Sequence, residues 1–298
     1  MIRAFKLATP AVAGLLFIFL TAFSNPPFQD APQSAQKAAD SGALADMLKK
    51  AKAYCVRLSS ASLDFVCLED ISEKAVDRRL YLVPNWGSLS PSTVFGDTPD
   101  DHTYLYDYQF VSNNGKKADQ RRLLEHDGVK IKDDRDRPTA LLTRHFFFQN
   151  VLFGAVDLLD ESRQSLYRYD LIGREAVDGE SAWVVNVVPV PGLSRIVNGG
   201  RVWLREKDGG VLKIAWNVKS MESSPEIRET AKNFHRTPEI TQVTEYDFEK
   251  KGIRFPSRFV ITEAYIDKNG NKAVKSITEA VYRNYKFFTV EIDAPVFK

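Results

Sequence analysis

Residues 165–219 read SLYRYDLIGREAVDGESAWVVNVVPVPGLSRIVNGGRVWLREKDGGVLKIAWNVK, and this stretch decides the fold. Four strand-like runs, Ser165 to Glu175, Ser181 to Val190, Gly200 to Glu206 and Val211 to Lys219, are rich in Val, Ile, Trp and Tyr. They are separated by Val177-Asp178-Gly179, by Pro191 to Gly199 and by Asp208-Gly209-Gly210. Asp-Gly pairs adopt positive φ cheaply, which makes such breaks tight reversals. Strands joined by reversals this short lie antiparallel, because parallel neighbours need a crossover of a dozen or more residues.

The same grammar extends both ways. Upstream, His102 to Val111 and Asp119 to His126 flank Asn113-Asn114-Gly115, a hairpin signal, and Tyr104, Tyr106, Tyr108 and Phe110 share one face of the first strand. Leu63 to Ile71 is a further strand, with Phe65, Cys67 and Glu69 on one side and Val66 and Leu68 on the other. Downstream come Ile240 to Glu249, Phe255 to Asp267 and Ala273 to Val290, with a turn at Asn269-Gly270. About ten or eleven strands result, mostly in hairpins, so the fold is α+β, mostly β, around one large antiparallel sheet. Between Pro84 and Asp101 the density of Pro, Gly and Ser predicts a long loop.

Helical periodicity appears twice. Gly42 to Leu58 carries Leu44, Met47, Leu48, Ala51, Tyr54 and Cys55 at helical spacing. Pro138 to Asp160, PTALLTRHFFFQNVLFGAVDLLD, opens on a proline and predicts a second helix, with Leu141, Leu142, His145, Phe146, Gln149, Leu152, Phe153, Val156 and Leu159 along one stripe. Phe147, Phe148 and Val151 fall off that stripe, so the helix is apolar around more than half of its circumference. A helix covering a sheet needs one apolar stripe; one that also closes over a cavity needs more.

The N-terminus predicts export. Arg3 and Lys6 precede an uncharged apolar run from Ala11 to Phe23, and Ala22-Phe23-Ser24 supplies a small-x-small site, placing signal-peptide cleavage near Asn25. The run is shorter than the ~20 helical residues that a bilayer core demands, and no Cys follows it to carry a lipid anchor. The expected layout is a signal peptide at 1–24, a disordered Pro/Ala/Gln/Ser-rich leader at 25–41, and a single domain at 42–298. The destination is the periplasm or the exterior.

Charge excludes one class of partner. The chain holds 41 Lys+Arg and 39 Asp+Glu, and losing Arg3 and Lys6 with the signal leaves it near neutrality. Basic excess or a basic stripe, the mark of a nucleic-acid binder, is missing. The only cysteines, Cys55 and Cys67, are consistent with one disulfide in an exported chain, with two buried free thiols as the alternative. His102, His126, His145 and His235 show no paired ligand spacing, so no metal site is expected. His145 is expected to be a packed or capped histidine.

Gly173-Arg174-Glu175-Ala176-Val177-Asp178-Gly179-Glu180, leading into Ala182-Trp183-Val184-Val185-Asn186-Val187-Val188-Pro189, resembles the turn and strand of the periplasmic lipoprotein carriers, the LolA/LolB-like group that includes the RseB-type sensors. Arg201 to Gly210, Tyr246-Asp247-Phe248 and Phe255-Pro256 are similar to further strands and closing hairpins of that group. The likeness runs from about Ala43 to Val290; this chain is longer, through Pro84 to Asp101 and a polar segment from Lys219 to Thr237. The resemblance implies a sheet curled into an open half-barrel with helices over its concave face, and a cavity between them for acyl chains.

On that implication the ligand-binding residues are Tyr104, Tyr106, Arg144, Phe146, Phe147, Phe148, Leu152, Phe153, Trp183, Trp203 and Tyr265, with Arg135, Arg137 and Arg144 as a charged rim. Chemistry is not expected. The chain lacks a G-x-S-x-G elbow, an H-E-x-x-H helix, a Walker loop and a G-x-G-x-x-G turn, so neither enzyme activity nor a cofactor is expected. The expected role is a monomeric carrier or receptor for a lipoprotein acyl chain or another envelope lipid. The alternative is an envelope sensor or interaction module that binds a protein.

Overall fold

The stretch 165–219 folds as its turns demand. In the computed structural model of the protein, which describes residues 33–61, 64–83, 92–113, 116–132, 138–146, 152–193 and 198–288, it forms four antiparallel strands. In chain order the elements are α1 (Gln33–Ser60), β1 (Asp64–Val83), β2 (Ser92–Asn113), β3 (Lys116–His126), β4 (Val129–Lys130), α2 (Leu141–Arg144), α3 (Gly154–Leu159), α4 (Glu161–Gln164), β5 (Tyr167–Val177), β6 (Glu180–Pro189), β7 (Gly199–Arg205) and β8 (Val211–Asn217). Then follow α5 (Lys219–Glu222), α6 (Pro225–Asn233), β9 (Thr237–Glu245), β10 (Phe248–Lys250), β11 (Ile253–Phe255), β12 (Arg258–Ile266) and β13 (Lys272–Phe288). Eleven strands form one sheet in the order β4-β3-β2-β1-β13-β12-β9-β8-β7-β6-β5, and β10 and β11 form a separate small ladder. Every pairing is antiparallel, and the sheet is an open half-barrel.

Four sequence expectations are corrected. Helix α1 is already formed at Gln33, inside the predicted leader, where Ala35, Gln36, Lys37, Ala38 and Ala39 are strong helix formers; residues 1–32, including the signal segment, lie outside the described residues. Residues 92–101 are not loop: they pair with β1 from Val83 back to Lys74. Pro99 is tolerated there because β2 before Tyr104 has β1 as its paired neighbour and not β3, an edge position. Of the helix predicted over 138–160, the described residues form two short helices, α2 and α3, and 147–151 lie outside them. Finally, Cys55 and Cys67 are free and buried. Cys55 donates weakly to the Ala155 carbonyl at 3.7 Å, whereas Cys67 lies in the sheet, so the two thiols belong to different layers.

The core lies on the helix side of the sheet. Met47, Ala51, Tyr54, Cys55 and Leu58 recur at helical spacing along α1 and are fully buried. They face Phe65 and Ile71 of β1, Val202 and Leu204 of β7, and Phe259 and Ile261 of β12. Helix α1 sits so close to the β7–β8 turn that a Cβ on Gly209 would lie 2.6 Å from the Ala51 nitrogen, and Gly209 also has φ +72°. Only glycine meets both conditions.

The inserted segment crosses this face. The Ala140 amide donates to Tyr106 Oη at 3.4 Å and the Leu142 amide to Glu73 Oε1 at 3.4 Å, fixing its start over β1 and β2. Its far end is fixed by Tyr169 of β5, whose hydroxyl donates to the Leu158 carbonyl at 2.6 Å. Gly154 opens α3 against the Trp216 ring, where a Cβ would stand 2.7 Å from a ring carbon.

Candidate functional site

The helix-side face has two differently built ends. At the tyrosine end, buried carboxylates anchor the elements. Glu69 is fully buried and accepts from Arg121 Nε at 2.6 Å, Arg121 Nη2 at 3.1 Å and Tyr282 Oη at 2.8 Å. Arg121 also reaches Asp119 at 3.0 Å and lies 4.8 Å over the Tyr108 ring. Glu263 accepts from Tyr265 Oη at 2.5 Å and meets His145 Nε2 at 3.1 Å, while His145 Nδ1 stands 3.1 Å from Glu226 of α6. His145 therefore ties the inserted segment to β12 and α6, as a packed histidine. Burial alone pushes the Glu263 carboxyl upward, but the hydrogen bond from His145, the Lys275 charge and the Tyr265 hydroxyl override it and hold it down to about 2. Glu73 is moved upward by burial, which outweighs two backbone amides and the charges of Arg144 and His102.

At the phenylalanine end the aromatic side chains surround an opening. A cavity of about 540 Å³ is bounded by Arg57, Ser60 and Ala61 at the end of α1, Asp64 of β1, Lys250, Lys251, Ile253 and Phe255 of the β10–β11 hairpin, and Phe287 and Phe288 of β13. Two local devices build it. Lys251 and Gly252 have φ of 53° and 73°, the positive pair that a two-residue type I′ reversal demands, so β10 folds back on β11. Between Arg283 and Lys286 the β1–β13 register slips by one residue at Asn284, whose φ is 60°. The bulge lets both Tyr282 and Tyr285 point inward although they are three residues apart. Phe287 follows Tyr285 onto that face, and the Tyr285 hydroxyl donates to the Pro256 carbonyl at 2.6 Å.

The resulting cluster is continuous. Phe255 lies 4.9 Å from Phe287 edge-on, Phe65 lies 5.7 Å from Phe255, and Phe248 stacks on Tyr285 at 5.1 Å with planes 2° apart. Three cations, Arg57, Lys250 and Lys251, face one carboxylate, Asp64, around the opening. Lys250 Nζ lies 4.0 Å from the centre of the Phe287 ring. Phe288 is 52% exposed. A concave apolar floor under a cationic rim can take an apolar chain with an anionic head, and its volume is in the range of small-ligand sites.

The residues expected from sequence to hold the ligand fall elsewhere. Tyr104, Tyr106, Phe146 and Leu152 are buried in the core, and Phe153 packs on Phe110 at 5.5 Å. Trp183 is half-buried beneath Arg174, 4.0 Å from its ring. Trp203 points to the other side of the sheet, with Ala182, Val184 and Leu212, where its indole donates to Glu175 at 2.7 Å; strand alternation puts it opposite Val202 and Leu204. Tyr265 lines a second opening of about 310 Å³ with Thr230, Asn233, Phe234, Arg236 and Lys275. Arg144 is exposed and donates to the Thr139 carbonyl at 3.0 Å. Phe147, Phe148, Arg135 and Arg137 lie outside the described residues. The cavity residues were not singled out by sequence, although Phe248 and Phe255 flanking Lys250-Lys251-Gly252 form a legible aromatic and cationic hairpin.

Burial pushes both Cys55 and Cys67 up to about 12, so neither is a thiolate at neutral pH. No helix among the described residues is long and apolar enough to cross a membrane.

No protein-family model matches the chain, and no curated protein matches it. Solved structures do. A domain named for outer membrane lipoprotein sorting, from Vibrio parahaemolyticus, is similar at 13% identity over 83% of this chain and 94% of its own, with a TM-score of 0.35. A LolA superfamily protein from Nitrosomonas europaea is similar at 14% identity over 82% and 93%, with a TM-score of 0.30. The MucA/MucB complex structure from Pseudomonas aeruginosa is similar at 12% identity over 80% and 94%, with a TM-score of 0.22.

Proposed function

We propose that this protein is a periplasmic carrier or receptor for a hydrophobic ligand, an acyl chain bearing an anionic head, held at the phenylalanine end. The observation that supports this reading is the 540 Å³ cavity with Ile253, Phe255 and Phe287 as its floor and Arg57, Lys250 and Lys251 at its rim. Apolar burial drives the binding at about 0.8 kcal/mol for each methylene removed from water, and the cations orient the head. The role is binding and not catalysis. Export rests on the N-terminal signal pattern.

The test is native mass spectrometry of mature protein purified without detergent, followed by titration with a fluorescent fatty acid. Lipid-bearing species and saturable uptake are expected. Protein that is empty and takes up no fatty acid contradicts the proposal.

One observation favours a second reading, docking of an envelope protein. Among the described residues, β1 beyond Ala75 pairs with β2 alone and β2 before Tyr104 pairs with β1 alone, so the hairpin runs on as a two-stranded arm. The edges of such an arm can accept an added strand. Loss of a defined envelope partner on shortening the arm, in protein that carries no lipid, is the outcome that selects this reading.

A further inference from the structure

Two histidines that the sequence keeps 24 residues apart meet at the start of the β2–β3 ladder. Tyr104 pairs directly with His126, and a bulge at Leu105/Tyr106 sets the register beyond it, so His102 lies diagonally across from His126 on one face. The imidazole centres are 5.2 Å apart with planes at 31°. Asp127 completes the group. Its amide donates to the Thr103 carbonyl at 2.9 Å, and its Oδ1 accepts from the Thr103 amide at 2.7 Å. That double clamp holds Asp127 at φ 49° and leaves Oδ2 free of the backbone. Oδ2 stands 2.9 Å from His102 Nδ1 and 3.4 Å from His126 Nε2.

One donor atom from each of His102, His126 and Asp127 lies within 4.8 Å of the other two. With metal bonds of about 2.0–2.1 Å, tetrahedral donors sit about 3.3 Å apart; the His126–Asp127 separation of 3.4 Å already matches, and the His102–Asp127 contact of 2.9 Å is a hydrogen bond that a metal would replace by opening it slightly. His126 Nε2 is shielded from solvent and makes no hydrogen bond. His102 Nε2, on the outer side of its ring, is 3.4 Å from Asp100 Oδ1. A carboxylate on the non-ligating nitrogen is the usual means of fixing a metal-bound imidazole. The clamp on Asp127, the shielded nitrogen without a hydrogen bond and the outer carboxylate are three independent features of a built site.

We propose that His102, His126 and Asp127 bind one divalent transition-metal ion of the zinc class, with Asp100 as the positioning residue behind His102. Two imidazoles and a carboxylate suit such ions and exclude calcium and magnesium, which prefer all-oxygen shells. Three protein donors leave a coordination position for water. The ion pins the β3–β4 turn to β2 and does not depend on the lipid cavity.

The test is calorimetric titration of untagged mature protein with ZnCl₂. One equivalent is expected to bind. His126→Ala and Asp127→Asn are expected to weaken binding more than tenfold, Asp100→Asn by about tenfold, and His235→Ala not at all. Circular dichroism confirms that each variant is folded. Should a variant fail to fold, nitrogen-15 NMR of the wild-type imidazoles decides: zinc must shift the ring resonances of His102 and His126 and spare those of His145 and His235. A wild-type protein that takes no zinc, or whose binding survives His126→Ala, or whose His102 and His126 signals stay put, overturns the proposal.

Discussion

The tyrosine end and the phenylalanine end of one sheet face use aromatic residues to opposite effect. Tyr104, Tyr106, Tyr108 and Tyr282 surround buried ions, and the inserted segment is bolted over them through Glu73, Glu263 and His145. Phe255 and Phe287 surround a space, and Arg57, Lys250 and Lys251 stand at its rim with Asp64. Aromatic content alone therefore does not distinguish a filled face from an open one. Hydroxyls with buried carboxylates fasten the elements at one end and leave the smaller opening of about 310 Å³ at Tyr265, and bare rings with rim lysines surround the larger one of about 540 Å³ at the other.

The comparison breaks hardest at Glu69. Glu69→Ala leaves Tyr282 buried without its acceptor and Arg121 with Asp119 as its remaining carboxylate, and removing one partner of a buried pair typically costs about 3–5 kcal/mol; urea unfolding should show a loss toward the lower end of that range. A loss below about 1 kcal/mol would mean that the tyrosine end is not held by its ions. Gly209→Ala comes next. The added methyl meets the α1 backbone at 2.6 Å at a positive φ, and strain of this kind costs about 1–3 kcal/mol, read as a lower melting temperature.

Glu263 sharpens the contrast through pH. Its folded value of about 2 lies below the ordinary carboxyl value of 4.5, so its contribution is fully present above pH ~4.5. That contribution is lost as pH falls toward 2. Glu263→Gln should flatten this part of the stability curve, and an unchanged acid limb contradicts the anchoring role. The smallest effect belongs to the rim. Lys250→Glu with Lys251→Glu should leave stability within about 0.5 kcal/mol, as exposed surface changes do, while weakening uptake of a fatty-acid anion several-fold. Uptake unmoved by the double reversal would separate the rim from the ligand.

The sheet was legible because its turns are. Asp178-Gly179, Asp208-Gly209 and Asn269-Gly270 announce reversals, and the strand number follows. The arm at 92–101 was hidden because Gly96 and Pro99 carry loop statistics, whereas an edge position forgives both. The start of α3 was hidden because the apolar period runs on through Gly154, whose close fit against Trp216 involves a residue more than sixty positions away. The half-barrel's open end was hidden for a related reason: Phe287 faces inward only because Asn284 makes a bulge, and period-two reading assumes none. His102 and His126 escaped for the same cause, since register across two strands, and not spacing along one, brings their rings together.

The account turns on where a ligand sits, and photo-crosslinking reads that directly. Mature protein loaded with a photoactivatable fatty acid, irradiated and digested, should carry adducts in peptides covering 248–257 and 285–288. Adducts confined to 104–110 and 138–160, with the phenylalanine end unlabelled, would contradict it.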